Sequence, residues 1–112
     1  MNLEAFNAST FWSAIAAISL QDMLRSNGVH VVWMLGEWEH SHEIEVGTFE
    51  PAYTGSEWFC TSDEFEWIVY VSHEDSITIG GWLLDKVKAA WPAWRTKPYR
   101  WWYERSGGPQ EG

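Results

Sequence analysis

The chain has 112 residues, 46% hydrophobic and 17% aromatic, which is enough apolar mass for the core of one domain of ordinary size. Sixteen acidic against seven basic residues give a formal net charge of -9, and that balance opposes direct binding to phosphate backbones and anionic membrane surfaces. A single cysteine, Cys60, excludes an intrachain disulfide, no stretch reaches the roughly 18 apolar residues of a bilayer span, and Met1 to Phe11 lacks the basic flank and apolar run of a signal peptide, so a cytoplasmic protein is expected.

From Thr10 to Ser26, Phe11, Ala14, Ile15 and Ile18 recur at helical spacing against polar Gln21, Asp22 and Arg25, which predicts helix. Ser19 followed by Asp22 has the form of a capping box, so the pattern leaves one helix or two open, with Asn27-Gly28 as the stop. Val29 to Leu35, ending at Gly36, is a β-branched and aromatic run that suits a strand. Glu37 to Val46 alternates, predicting a half-exposed strand with Trp38, Ile44 and Val46 on one face and Glu37, Glu39, Glu43 and Glu45 on the other.

Phe49 to Ser56 carries Pro51 and Gly55 and reads as a loop, and Glu57 to Thr61 as a further short strand. Phe65, Trp67, Val69 and Val71 alternate, and Ile77 and Ile79 resume the pattern after the polar break at His73 to Ser76, which predicts two strands joined by a tight turn. Gly80-Gly81 stops the second. Leu83, Leu84, Val87, Ala90, Trp91 and Trp94 then fit one apolar helical stripe, which Pro92 cuts near Ala90 or Trp91. Helix, sequential strands and helix together predict an α+β domain over residues 1–105, with an antiparallel sheet of about four or five strands flanked by an N-terminal and a C-terminal helix. Residues 106–112 are expected to be a disordered tail.

Charge is distributed unevenly: eleven acidic residues and no lysine or arginine lie between Glu37 and Asp75, whereas six of the seven basic residues lie between Lys86 and Arg105. Alternate strand positions sit about 6.7 Å apart, so Glu37, Glu39, Glu43 and Glu45 are expected to form a row of carboxylates, extended by Asp63, Glu64 and Glu66. Such a row is either a solvated strand face with edge-protecting charges or a docking face for a basic protein. Ten tryptophans are more than a core this small encloses easily. Trp67 and Trp91 read as core, whereas Trp38, Trp58, Trp101 and Trp102 have charged or polar neighbours and are expected near the surface. Trp38 is then a candidate aromatic anchor, and Trp101 and Trp102 a tail interface, with the partner or with a second copy in a homodimer.

His40, His42, Glu43 and Glu45 cluster in sequence, but on a strand the imidazoles and carboxylates point to opposite faces, so no metal is expected. His73-Glu74-Asp75-Ser76 offers acid, base and nucleophile as consecutive turn residues, which cannot face one another as a triad requires. Cys60 has no basic neighbour in sequence to activate it, and no phosphate-binding glycine loop is present, so neither catalysis nor a cofactor is expected.

Gly36-Glu37-Trp38-Glu39-His40-Ser41, entering the alternating segment, resembles the Gly-Asp-Trp-Glu-His motif of a family of immunity proteins from bacterial polymorphic-toxin systems. Trp67, Gly80-Gly81 and the helix ending in Trp94 are similar to that family's closing strand, glycine break and terminal helix. The loop from Thr48 to Gly55 and the tail from Tyr99 to Tyr103 have no counterpart in the resemblance. It implies an antitoxin that binds and blocks a cognate toxin, commonly a nuclease, and nuclease toxins are basic, as the acidic face requires. Two alternatives stand beside it: a phage-encoded, anti-CRISPR-like inhibitor occupying a nucleic-acid-binding channel, and a small ligand-binding domain or enzyme with a Trp-lined pocket, for which a Trp-lined cavity with a convergent histidine would speak. Two histidines alone make a weak metal site, so elemental analysis of the purified protein is expected to find no stoichiometric zinc, and zinc that disappears on changing His40 and His42 to Ala would contradict this.

Overall fold

The computed structural model describes residues 1–96; the expected tail interface at Trp101 and Trp102 and the terminal segment 106–112 lie outside the described residues. In chain order the elements are β1 (Leu3–Asn7), α1 (Ala8–Ala14), α2 (Ala17–Ser26), β2 (Val31–Gly36), β3 (His42–Glu45), a 3-10 turn (Val46–Thr48), β4 (Trp58–Thr61), β5 (Trp67–Ser72), β6 (Ser76–Gly81), α3 (Trp82–Ala90) and a second 3-10 turn (Pro92–Thr96). The strands form one six-stranded sheet in the order β1-β6-β5-β4-β2-β3, with every neighbouring pair antiparallel. The class is α+β, with more strands than the sequence pattern predicts because β1 opens the chain ahead of the first helix.

The N-terminal helical segment is divided. Asn7 caps α1, its Oδ1 accepting from the Thr10 N–H at 3.1 Å, and Ile15 and Ala16 then take extended backbone before α2 begins at Ala17, two residues ahead of Ser19. The break follows from the core. At about 100° per residue, an unbroken helix would place Phe11 and Leu20 on opposite sides, yet both are fully buried. Breaking at Ile15-Ala16 turns Leu20 and Leu24 inward and leaves Ile18 65% exposed, although Ile18 belongs to the stripe that predicts a single helix. Asn27-Gly28 ends α2: Gly28 has φ +86, its N–H bonds Arg25 O, and the Val29 N–H reaches back to Leu24 O, the pair of bonds that closes a helix through a left-handed residue.

The helices cover one face of the sheet. On that face Phe6, Val32, Met34, Trp58, Cys60, Trp67, Val69, Val71, Ile77 and Ile79 meet Phe11, Leu20, Leu24, Leu83, Leu84 and Val87 in a single core. Trp91, just past α3, closes the β1 end against Phe6 and Phe11, with ring centroids 5.5 and 6.3 Å away. Trp58 is 7% exposed, not a surface tryptophan. Its polar neighbours in sequence mislead because β4 lies inside the sheet and its alternation turns Trp58, with Cys60, under the helices. Among the described residues, no helix is long and apolar enough to cross a membrane.

The passage from β6 to α3 depends on Gly81, with φ +72 and ψ -153, a conformation essentially restricted to glycine. A Cβ there would also lie 2.0 Å from Glu66 O and 2.9 Å from Trp67 Cα. Gly28 shares a positive φ, but a Cβ on it meets nothing within 4 Å. Gly81→Ala is therefore expected to cost at least about 3 kcal/mol, against about 1 kcal/mol for Gly28→Ala, in urea unfolding. Equal losses would show that the β6–α3 junction is not under this constraint.

Candidate functional site

Among the described residues, no helix covers the face of the sheet opposite the core. Alternation and register place on it Leu3 and Ala5 of β1, Thr78 of β6, Ile68 and Tyr70 of β5, Phe59 of β4, and Val31, Trp33 and Leu35 of β2. Leu3, Val31 and Leu35 are 56%, 43% and 37% exposed. The centre of this face is thus apolar and aromatic, and a contiguous exposed patch of that kind marks an interaction surface more often than a bare monomer surface.

Its ends are acidic. The expected four-carboxylate row is not continuous, because β3 spans only His42–Glu45 and Glu37 to Ser41 form the bend that links it to β2. Glu43 and Glu45 do lie on the open face, opposite Trp33 and Val31. At the same end Asp63 Oδ1 accepts from Trp33 Nε1 at 2.5 Å, and Glu43, Asp63, Glu64 and Glu66 surround one shallow depression beside Val31. At the other end of β2, the Glu37 N–H bonds Glu57 O at 3.0 Å, and Glu37, Trp38, Glu39, His40 and His42 line a second depression. Trp38 is not on a strand: it sits 77% exposed at the bend, its backbone N–H donating to the buried Ser56 hydroxyl at 3.1 Å.

Every lysine and arginine among the described residues lies on the helical side: Arg25 on α2, Lys86 and Lys88 on α3, and Arg95 in the last 3-10 turn. Lys88 and Arg95 sit 4.3 and 5.7 Å from the Trp94 ring. The molecule therefore carries its cations on one layer and a carboxylate-rimmed apolar face on the other.

A cluster that the sequence pattern does not reveal joins Glu57, Tyr70 and His73. The Tyr70 hydroxyl donates to Glu57 Oε1, and the His73 ring Nδ1 and backbone N–H bond Oε2, the latter at 3.1 Å. These bonds, the Tyr70 hydroxyl first, hold the Glu57 carboxyl down from 4.5 to about 2. The same carboxylate pushes Tyr70 up to about 12 and raises His73 above its ordinary value, with Glu37 and Glu74 adding to both. Glu57 immediately precedes β4, Tyr70 lies on β5 and His73 in the turn that follows it, as many as 16 positions apart, so only the pairing of β4 with β5 brings them together. Burial pushes the Cys60 thiol up to about 12, which removes it as a nucleophile. No group of three or more potential metal ligands occurs among the described residues.

Comparison with protein-family models, curated proteins and solved structures returned no match to this chain.

Because Glu57 is held below 4.5, its share of stability is present above that pH and lost as pH falls toward 2. Because His73 is raised above 6.5, its share is present below 6.5 and lost as pH rises through the raised value. Both contributions are fully present between about 4.5 and 6.5, so the stability difference between the protein and His73→Gln is expected to be largest at pH 5.5 and to shrink by pH 9, measured by urea unfolding. A difference that stays constant across that range would mean the ion pair contributes nothing.

Proposed function

We propose that this chain is a cytoplasmic, stoichiometric protein inhibitor of the immunity-protein type, which binds a basic partner such as a toxin nuclease on its open sheet face and occludes the partner's active site or substrate groove. The observation that carries the reading is an apolar, aromatic centre at Trp33, Leu35, Phe59 and Tyr70 with carboxylates at both ends and, among the described residues, no lysine or arginine on any strand. An apolar centre within a polar rim is the ordinary anatomy of a protein interface. The carboxylates supply steering and orientation, while the ring and aliphatic surfaces supply affinity. Trp38, exposed at the Glu37–Ser41 bend, extends the face as an anchor beyond its edge. The resemblance of Gly36-Glu37-Trp38-Glu39-His40 to an immunity-protein motif falls on this same bend.

A phage-encoded inhibitor seated in a nucleic-acid channel would use the same face against a different basic protein, so the identity of the captured partner decides between the two.

The test compares capture by the protein, by Glu43→Lys with Glu45→Lys, and by Asp22→Lys with Asp85→Lys, which makes the same charge change on the exposed side of the helices. A basic protein retained by the first and third and weakened about a hundredfold or more by the second is the expected outcome, since reversed charges then face like charges. Equal loss in both double variants would show that net charge alone matters, and no loss in either would remove the face from the account. The association rate is also expected to fall steeply between low salt and 0.15 M, where screening acts within about 8 Å.

A further inference from the structure

A cleft opens beside the Glu57–Tyr70–His73 cluster, between α1, the loop at Ala52 and Tyr53, and the turn joining β5 to β6. Its walls include Trp12, Tyr53, Val71, His73 and Asp75, and it encloses about 360 Å³. That is the small end of the range for ligand pockets and suits a single side chain or small group better than a cofactor. We infer that this cleft is a binding site for a guanidinium group, an arginine side chain presented by the basic protein seated on the open face. The inference names a recognition element for the function proposed above and rests on it for the source of the arginine.

The walls match that chemistry. Trp12 is held edge-on by Phe11, with centroids 5.0 Å apart, and Tyr53 lies 6.5 Å from the His73 ring, so two aromatic groups line the cavity from opposite segments of chain. A planar guanidinium stacks on such rings and is attracted to their faces. Asp75 supplies the counter-charge. It stands at a left-handed backbone position, φ 57, closing a three-residue hairpin turn, and it is tied down twice. Its backbone carbonyl accepts from the Ala8 N–H at 2.8 Å, and its Oδ2 accepts from Asn7 Nδ2 at 3.1 Å. A carboxylate fixed in this way is poised to accept a guanidinium N–H without reorganising.

The surrounding charges select the same sign. Among the described residues no lysine or arginine lines the cleft, and the His73 ring at its mouth is already bonded to Glu57. Glu57 also connects the cleft to the open face, since it bonds His73 on one side and the hydroxyl of Tyr70, a residue of that face, on the other. A protein lying across Tyr70 and Phe59 therefore has the cleft within reach at the β5–β6 end.

The experiment titrates the full chain with N-acetylarginine methylamide, N-acetyllysine methylamide and the uncharged N-acetylcitrulline methylamide, following the Trp12 indole N–H by NMR, its signal assigned with Trp12→Phe. The arginine amide is expected to give a saturable shift and the citrulline amide none, with lysine weaker than arginine. Asp75→Asn, which keeps a residue tolerant of the left-handed position, is expected to weaken the arginine amide at least about tenfold, and Tyr53→Ala to weaken it as well. No saturable shift, an equal response to citrulline, or full affinity in Asp75→Asn would overturn the inference. The outcome is separable from that of the open face. If the arginine amide fails to bind while capture still depends on Glu43 and Glu45, the cleft falls and the face stands. If it binds while capture ignores those residues, the cleft stands and the face falls.

Discussion

Among the described residues the three helices lie on one face of the six-stranded sheet, and this one-sided cover decides what each strand can carry. An antiparallel sheet can leave one face to water because its connections need not cross over that face. Here the inward positions hold Val32, Cys60, Trp67, Val69, Ile77 and Ile79, all fully buried. The outward positions are spared the demands of the core. They hold Trp33, Phe59, Tyr70 and Leu35, which a merely solvated surface would have no cause to place side by side.

Covering one face also separates the charges. The helices take Arg25, Lys86 and Lys88 together with Asp22 and Asp85, and the strands and the loops take the other carboxylates among the described residues. Repulsion among Glu43, Asp63, Glu64 and Glu66 around one depression is tolerated because they lie at the exposed end of β2, where water screens them. Glu57 is the exception, since it is half-buried and keeps its charge through three hydrogen bonds from Tyr70 and His73. A basic protein arriving at this face would meet an apolar centre already framed by anions, and its desolvation would strengthen each of those charges.

Where local pattern and tertiary demand agree, the fold is readable from the residues. Trp67, Val69 and Val71, then Ile77 and Ile79, alternate because β5 and β6 lie inside the sheet with one face buried, and the glycines that follow mark the junction to α3. β1 escapes notice because Glu4 shares the inward side with Phe6 at the sheet's edge, so the five residues from Leu3 to Asn7 show no clean alternation. The helix break at Ile15-Ala16 has no proline or glycine to announce it; it exists because Phe11 and Leu20 must both reach the core. The acidic row is legible only in part. The alternation through Glu37 and Glu39 is a coincidence of composition across a bend, whereas Glu43 and Glu45 are held in place by pairing with β2. The Glu57–Tyr70–His73 cluster and the cleft at Trp12, Tyr53 and Asp75 depend on contacts between distant segments, and no spacing in the chain encodes them.

Docking of a basic protein on the open sheet face, as proposed, takes that face out of contact with water. The most direct measurement is solvent paramagnetic relaxation of side-chain protons in the free chain and in complex with the captured basic partner. The Val31 and Leu35 methyls and the Trp33 indole, reached by the probe in the free chain, are expected to become protected in the complex, while Ile18 on the helical side stays accessible. Protection of Ile18 with Val31, Leu35 and Trp33 still open to the probe would contradict docking on this face.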